Sequence, residues 1–316
     1  MQREHARKFA SRENILQGLE EVGYICTSQI ATTLFLACHL EKPILVEGPA
    51  GVGKTELAKA AAAFLGLPLI RLQCYEGLDE SKVLYEWKYG KQLLYTQILR
   101  DKLDDIVGGG SGLAESVKKL HQYDDMFFSP HFLEPRPLLK ALQEKDGVVL
   151  LVDEVDKADQ EFEAFLLEVL SDFQISIPEI GTINALSKPF VFLTSNNTRE
   201  MSDALKRRCL HLFIPFPDPK MEREIVRVHV PWLSERLRTQ LISFIHQVRE
   251  LDLKKAPSVG ETIDWARTLA LLHADMLSPD LVRETLNTVL KFQEDIHMVE
   301  DHLLKMTQKA LSAALD

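Results

Sequence analysis

The sequence predicts an α/β protein, a three-layer sandwich on a mainly parallel sheet, followed by an all-helical segment. Three observations predict it. Short apolar runs such as "KPILVEG" (42–48), "GVVLLVDE" (147–154) and "PFVFLTSNN" (189–197) lack the alternation of a half-exposed strand, so they read as strands buried on both faces. Helical stretches separate them, the order that builds parallel sheets. After "PFPDPK" (215–220) the strand signal stops and everything reads helical.

Residues 11–24 and 27–40 form two amphipathic helices, with Thr27 as N-cap of the second. The first strand runs into a glycine-rich turn, and "TELAKAAAAFLG" then makes a strong helix stopped by Gly66. "PLIRLQC" (68–74) is a second buried strand. A helix over 159–172 leads to a hairpin of "FQISI" (173–177) and "GTINAL" (181–186), and "CLHLFIPF" (209–216) closes the strand set. In the helical part, Ser234 caps a helix over 234–251 whose Leu237, Leu241, Ile245 and Val248 share one face. The division expected is 1–40 as helices packing on the core, 41–217 as the core with an insertion near 76–130, and 218–316 as a helical domain. "GGGSG" (108–112) reads as a flexible loop.

A chain of 316 residues with 46% hydrophobic and 27% charged residues has the composition of a water-soluble globular protein. Its apolar runs are too short for a bilayer, and the N-terminal stretch has no apolar leader core, so a cytoplasmic location is expected. The net charge of −10 argues against nucleic acid as the main partner. Cys26, Cys38, Cys74 and Cys209 are scattered without a CxxC, which excludes a disulfide framework or zinc cluster of that kind.

"GPAGVGKT" (48–55) follows a strand and opens a helix, the context that gives GxxxxGK[ST] its meaning. Gly48, Pro49, Ala50, Gly51, Val52 and Gly53 make a tight turn whose N–H groups converge on phosphate oxygens, at the positive end of the helix that includes Glu56. Lys54 neutralises the β- and γ-phosphates, and the Thr55 hydroxyl ligates magnesium. Asp153, at the end of a buried strand, holds the same Mg2+, and Glu154 is the base for an attacking water. Asn196 ends a third strand at the sheet edge where open α/β sheets bind ligands. The cofactors expected are therefore ATP and Mg2+, with hydrolysis favoured over transfer by the tandem acids. A guanine-reading NKxD segment is absent, which removes a GTPase switch, and the acid pair with a C-terminal helical lid speaks against a small-molecule kinase. A DNA motor is disfavoured by the charge, although Arg3, Arg7, Lys8 and Arg12 make the N-terminus basic.

In this order the motifs resemble the AAA+ ATPase superfamily, with Walker A at 48–55, Walker B at 148–154 and sensor 1 at Asn196. The stretches "LVEGPAGVGKTELAKA", "FLEPRPLLKALQEKDGVVLLVDEVDKADQEFEAFLLEVL" and "LTSNNTREMSDALKRRC" are similar to the MoxR group. The resemblance implies a P-loop core with a helical lid. It also implies a homo-oligomer, a hexameric ring, that matures a metalloenzyme client beside a partner with a von Willebrand factor A domain, with any membrane attachment made through a partner. Clients of the carbon monoxide dehydrogenase, nitric oxide reductase and Rubisco types fit it. It selects Arg208 in "LKRRC" as the arginine finger, with Arg207 a second finger or a packing cation. A sensor-2 arginine is expected in "PSVGETIDWAR" (257–267), but Glu261 stands in its place and Arg267 is the substitute.

Two further features stand apart. In "KVLYEWKYGKQLLYTQ" (82–97) Tyr85, Trp87 and Tyr89 alternate before Gly90, which reads as an aromatic hairpin. It either grips a client or packs on the protein's own helices. Glu294, His297 and Asp301 have helical spacing, but without a further ligand they read as a solvated face.

Overall fold

The structure is a computed structural model that describes residues 8–101, 129–178 and 180–313. The glycine run at 108–112 lies outside the described residues.

Five short strands form one parallel sheet: β1 Ile44–Glu47, β2 Leu69–Gln73, β5 Val149–Asp153, β8 Phe190–Ser195 and β9 Leu210–Phe213, in the order β2-β5-β8-β1-β9. All four pairings are parallel. Alternate residues of these strands enter different cores. Leu150, Val152, Val191 and Leu193 face one layer, with Leu138, Phe162 and Leu166. Val149, Leu151, Phe190 and Phe192 face the other, with Ile15, Leu34 and Leu57. Burial on both faces is why the strands read as continuous apolar runs.

The second layer consists of α1 Arg12–Glu21, α2 Ser28–Leu40 and α3 Lys54–Leu65. Ser11 and Thr27 cap α1 and α2 through their hydroxyls, and α1 ends three residues before the expected bound. Gly66, at φ +72°, stops α3.

The expected aromatic hairpin is different. Tyr85–Trp87 is a strand, β3, but its antiparallel partner is β4, Leu133–Pro135, and Gly90 lies inside α4, Tyr89–Asp101. Period two identified the strand, and the partner came from far along the chain. Trp87 is only 9% exposed and Tyr85 packs against the same core, with their rings edge to face at 5.7 Å. The ridge is the protein's own packing, and only Tyr89, at 62%, is exposed.

α5 Pro137–Gln143 and α6 Gln160–Asp172, capped by Asp159, cover the first face. β6 Gln174–Ile177 and β7 Gly181–Asn184 form the expected hairpin. α7, Asp203–Arg208, leads into β9.

After Asp218, the N-cap of α8 Pro219–His229, come α9 Glu235–Arg249, α10 Val259–Leu271, α11 Pro279–Val289 and α12 Gln293–Ser312. They share a third core around Trp265, Leu241, Ile245 and Leu303. Glu294 pairs with Lys254, and His297 lies exposed 3.3 Å from Glu300; no cluster of metal-binding residues occurs among the described residues.

Candidate nucleotide site

The C-terminal ends of β1, β5 and β8 open into a cavity of about 1180 Å³ between the sheet and the helical segment, whose lining includes Ala50–Glu56, Asp153, Glu154 and Asn196. The turn after β1 is shaped by glycines. Gly48, Gly51 and Gly53 have φ of +153°, +73° and +96°, a region other residues rarely adopt. A Cβ on Gly48 would lie 2.1 Å from the Ile214 carbonyl oxygen, and one on Gly51 would lie 2.3 Å from Ser258 Cβ.

Lys54 is buried where α3 begins. Its Nζ donates to the carbonyls of Gly48 and Pro49 at 2.6 and 2.7 Å and to Asn196 Oδ1 at 2.8 Å. Burial lowers its pKa, and the carboxylates of Asp156, Asp153 and Glu154 partly counter that. The Thr55 hydroxyl lies 3.0 Å from Asp153 Oδ1, and Thr194 donates to the same oxygen. Hydroxyl and carboxylate side by side form a hard oxygen donor set suited to magnesium, and the loop beside them holds the positive φ values of a tight glycine turn of the kind that aims N–H groups at phosphate. The residues present therefore fit a magnesium nucleotide.

Glu154 breaks the strand with φ +57°, unusual for a non-glycine residue and of the kind found at functional turns. Its N–H donates to Thr194 Oγ1 at 2.9 Å. Its carboxylate accepts from Gln73 Nε2 at 2.8 Å, Asn196 Nδ2 at 3.3 Å and Lys157 Nζ at 2.6 Å. Asn196 thus bridges Lys54 and Glu154. Glu56 lines the cavity but pairs with Lys59.

Several residues in this network escape the sequence. Arg71 of β2 places Nε 3.0 Å and Nη2 2.5 Å from Asp153 Oδ2, and Nη2 also donates to Gln73 Oε1. Polar residues at 71 and 73 in the otherwise apolar "PLIRLQC" were the available signal. Asp156 Oδ2 accepts from Asn196 N, Thr198 N and Thr198 Oγ1 at 3.2, 3.0 and 2.6 Å. Burial alone would raise the Asp156 pKa, but these bonds outweigh it and hold the carboxyl below its ordinary range.

The basic cluster lies elsewhere. Lys206 pairs with Glu200 at 3.4 Å, whereas Arg207 and Arg208 are exposed, make no ion pair among the described residues and do not line the cavity of their own chain. Glu261 is the N3 partner of Ser258 in a capping box and pairs with Lys255, so it is committed to the helix start. Arg267 lines the cavity, 3.2 Å from Asp264.

A family model described as AAA domain (dynein-related subfamily) matches residues 43–209, more than half of the chain. The chain belongs to that family. The AAA match ends at Cys209, directly after the basic cluster. An uncharacterized protein of Staphylococcus epidermidis is 23% identical over 264 residues, covering 81% of this chain and 86% of the relative. One of Staphylococcus haemolyticus is 24% identical over 246 residues, covering 74% and 80%. Another, of Staphylococcus aureus, is 24% identical over 248 residues, covering 75% and 81%. This AAA domain is of the AAA+ ATPase type, which implies a nucleotide site typically served by Mg2+. No helix among the described residues is long and apolar enough to cross a membrane.

Proposed function

We propose that this protein hydrolyses ATP to ADP and phosphate and uses the cycle to remodel a client enzyme, as AAA+ chaperones of the MoxR group do. The observation that carries the proposal is the convergence of Lys54, Thr55, Asp153, Glu154 and Asn196 on one cavity from three neighbouring strand ends. Glu154 takes a proton from water as its oxygen bonds to the γ-phosphorus, and the bond from that phosphorus to the bridging oxygen breaks to release ADP. Asn196 holds the Glu154 carboxylate and the Lys54 ammonium in register. Magnesium, bound by Thr55 and Asp153, would neutralise phosphate charge. Arg208, assisted by Arg207, acts on a neighbouring subunit's γ-phosphate within a ring, a reading supported by their exposure outside their own cavity. Arg267 takes the lid-side phosphate contact that Glu261 cannot make.

The stretches shared with the MoxR group support a metalloenzyme client, foremost a molybdenum-dependent carbon monoxide dehydrogenase-like enzyme, and a partner carrying a von Willebrand factor A domain.

A mixing experiment tests the catalytic reading. Arg208→Ala and Glu154→Gln subunits are each expected to be inactive alone, and their mixture to regain phosphate release. A mixture that stays inactive at saturating protein, beside an active wild type, refutes action between subunits. A wild type without ATPase activity at any concentration refutes hydrolysis.

A further inference from the structure

The lid contains a buried ion pair that the nucleotide site does not directly use. Glu222 of α8 is fully buried, and Arg249 at the end of α9 meets it twice, Nη1 to Oε2 at 2.6 Å and Nη2 to Oε1 at 2.8 Å. His246 Nε2 lies 2.9 Å from the same carboxylate. Burying such a pair is costly, and apolar side chains would join two helices as well. The other contacts of Arg249 indicate what else it holds.

Its Nε donates to the Pro257 carbonyl at 2.8 Å, Nη2 lies 3.3 Å from Thr262 Oγ1 on α10, and the guanidinium carbon lies 4.7 Å from the centre of the Phe216 ring. Phe216 belongs to the segment joining sheet and lid, and it lines the nucleotide cavity. Pro257 immediately precedes the two residues that touch the phosphate loop. The Val259 N–H donates to the Gly51 carbonyl at 3.2 Å, and Ser258 fills the space beside Gly51 that a Cβ would need. One guanidinium therefore joins the connecting segment, two lid helices and the loop that rests on Gly51.

We propose that Arg249 is a positioning residue for the nucleotide site, holding Ser258 and Val259 against the phosphate loop so that the Gly51 peptide is fixed before a nucleotide arrives. The inference rests on the reading of that loop as an ATP site. Without the hold, the peptide rotates more freely and binding must pay to order it. Asp153 and Glu154 are supported from β2 and β8, so the chemical step keeps its geometry.

Arg249→Lys tests this, because lysine keeps a charge opposite Glu222 but cannot span two carboxylate oxygens and Pro257 together. With a fluorescent methylanthraniloyl-ATP and magnesium as the probe, affinity is expected to fall about tenfold, the size of one lost charge-assisted hydrogen bond. KM should rise with kcat nearly unchanged. Hydrogen exchange at the Val259 amide should quicken while α12 amides keep wild-type protection. Probe affinity within about twofold of wild type, or unchanged Val259 exchange, overturns the proposal. If α12 also loses protection, the double variant Glu222→Leu/Arg249→Met removes both charges together. That variant must show the same weakened binding and faster Val259 exchange, and wild-type values there overturn the proposal. A wild type that does not bind the probe refutes the ATP reading, while the Val259 exchange still judges Arg249 by itself.

Discussion

Asp156 shows how one carboxylate can define a loop. One oxygen accepts three hydrogen bonds from the turn after β8, the turn that presents Asn196. In Asp156→Asn an amide NH2 facing those donors repels them, and a carbonyl facing them accepts more weakly, so a stability loss of about 1–3 kcal/mol is expected in denaturant titrations at neutral pH. The sign of the pH effect follows from the direction of the shift. The native pKa lies below its ordinary value of 3.8, so the stabilisation is complete above that value and is lost as pH falls through the lower native one. The gap between wild type and Asp156→Asn should therefore narrow on acidification, and a constant gap would contradict this account. Gly51→Ala is the harsher change, because it meets both a positive φ and the Ser258 side chain. It should abolish detectable methylanthraniloyl-ATP binding; a variant that binds as wild type does would show that the loop relaxes freely. Gly51 and Lys54 were legible in the sequence because they belong to one contiguous motif between a strand and a helix, although Ser258 and Asn196, which they meet, lie far along the chain. Arg71 and Gln73 were not, because β5, whose acids they hold, lies some eighty residues downstream and strand pairing is invisible in a single sequence.

Among elements, α7 carries the basic cluster, yet six residues cannot hold a helix in place by themselves. The buried carboxylate of Glu163 on α6 does much of this work, pairing with Arg199 and accepting from Ser202 N at 3.0 Å, while the Ser202 hydroxyl caps α7. Glu163→Ala should cost about 1–3 kcal/mol, the loss expected when a buried hydrogen-bond acceptor is removed while its cation, Arg199, stays partly exposed. It should also depress phosphate release by the variant alone, because its Arg207 and Arg208 lose their placement, and added Glu154→Gln subunits, whose Arg208 stays in place, should restore release. Unimpaired release by the variant alone would place the control of α7 elsewhere. The strands of the sheet were legible as elements through their double-sided burial, and α2, α3 and α9 through caps that the structure reproduces. The insertion was half legible. Its alternation is that of a strand, but Gly90 sits in the first turn of a helix, where loss of helix propensity costs little, and β4 comes more than forty residues later.

For the whole molecule, the arrangement of charge bears on assembly. Arg207 and Arg208 stand exposed at the end of α7, while the acids Asp153 and Glu154 and the phosphate loop face a cavity they do not line. On the proposed function, such a chain binds nucleotide with one surface and completes the reaction on another copy. Phosphate release per chain should therefore rise with protein concentration and level off as assembly saturates. Light scattering with magnesium and ATP on the Glu154→Gln protein, which retains unhydrolysed nucleotide, should report a mass several times the 35.9 kDa chain. Arg208→Ala should bind methylanthraniloyl-ATP nearly as wild type does but lose roughly 10³-fold or more in turnover, the effect of removing an arginine that stabilises transition-state charge. Concentration-independent turnover by a 35.9 kDa species would instead mean that each chain completes its own site. Arg267, the lid cation that lines that cavity, would then be the arginine to replace next.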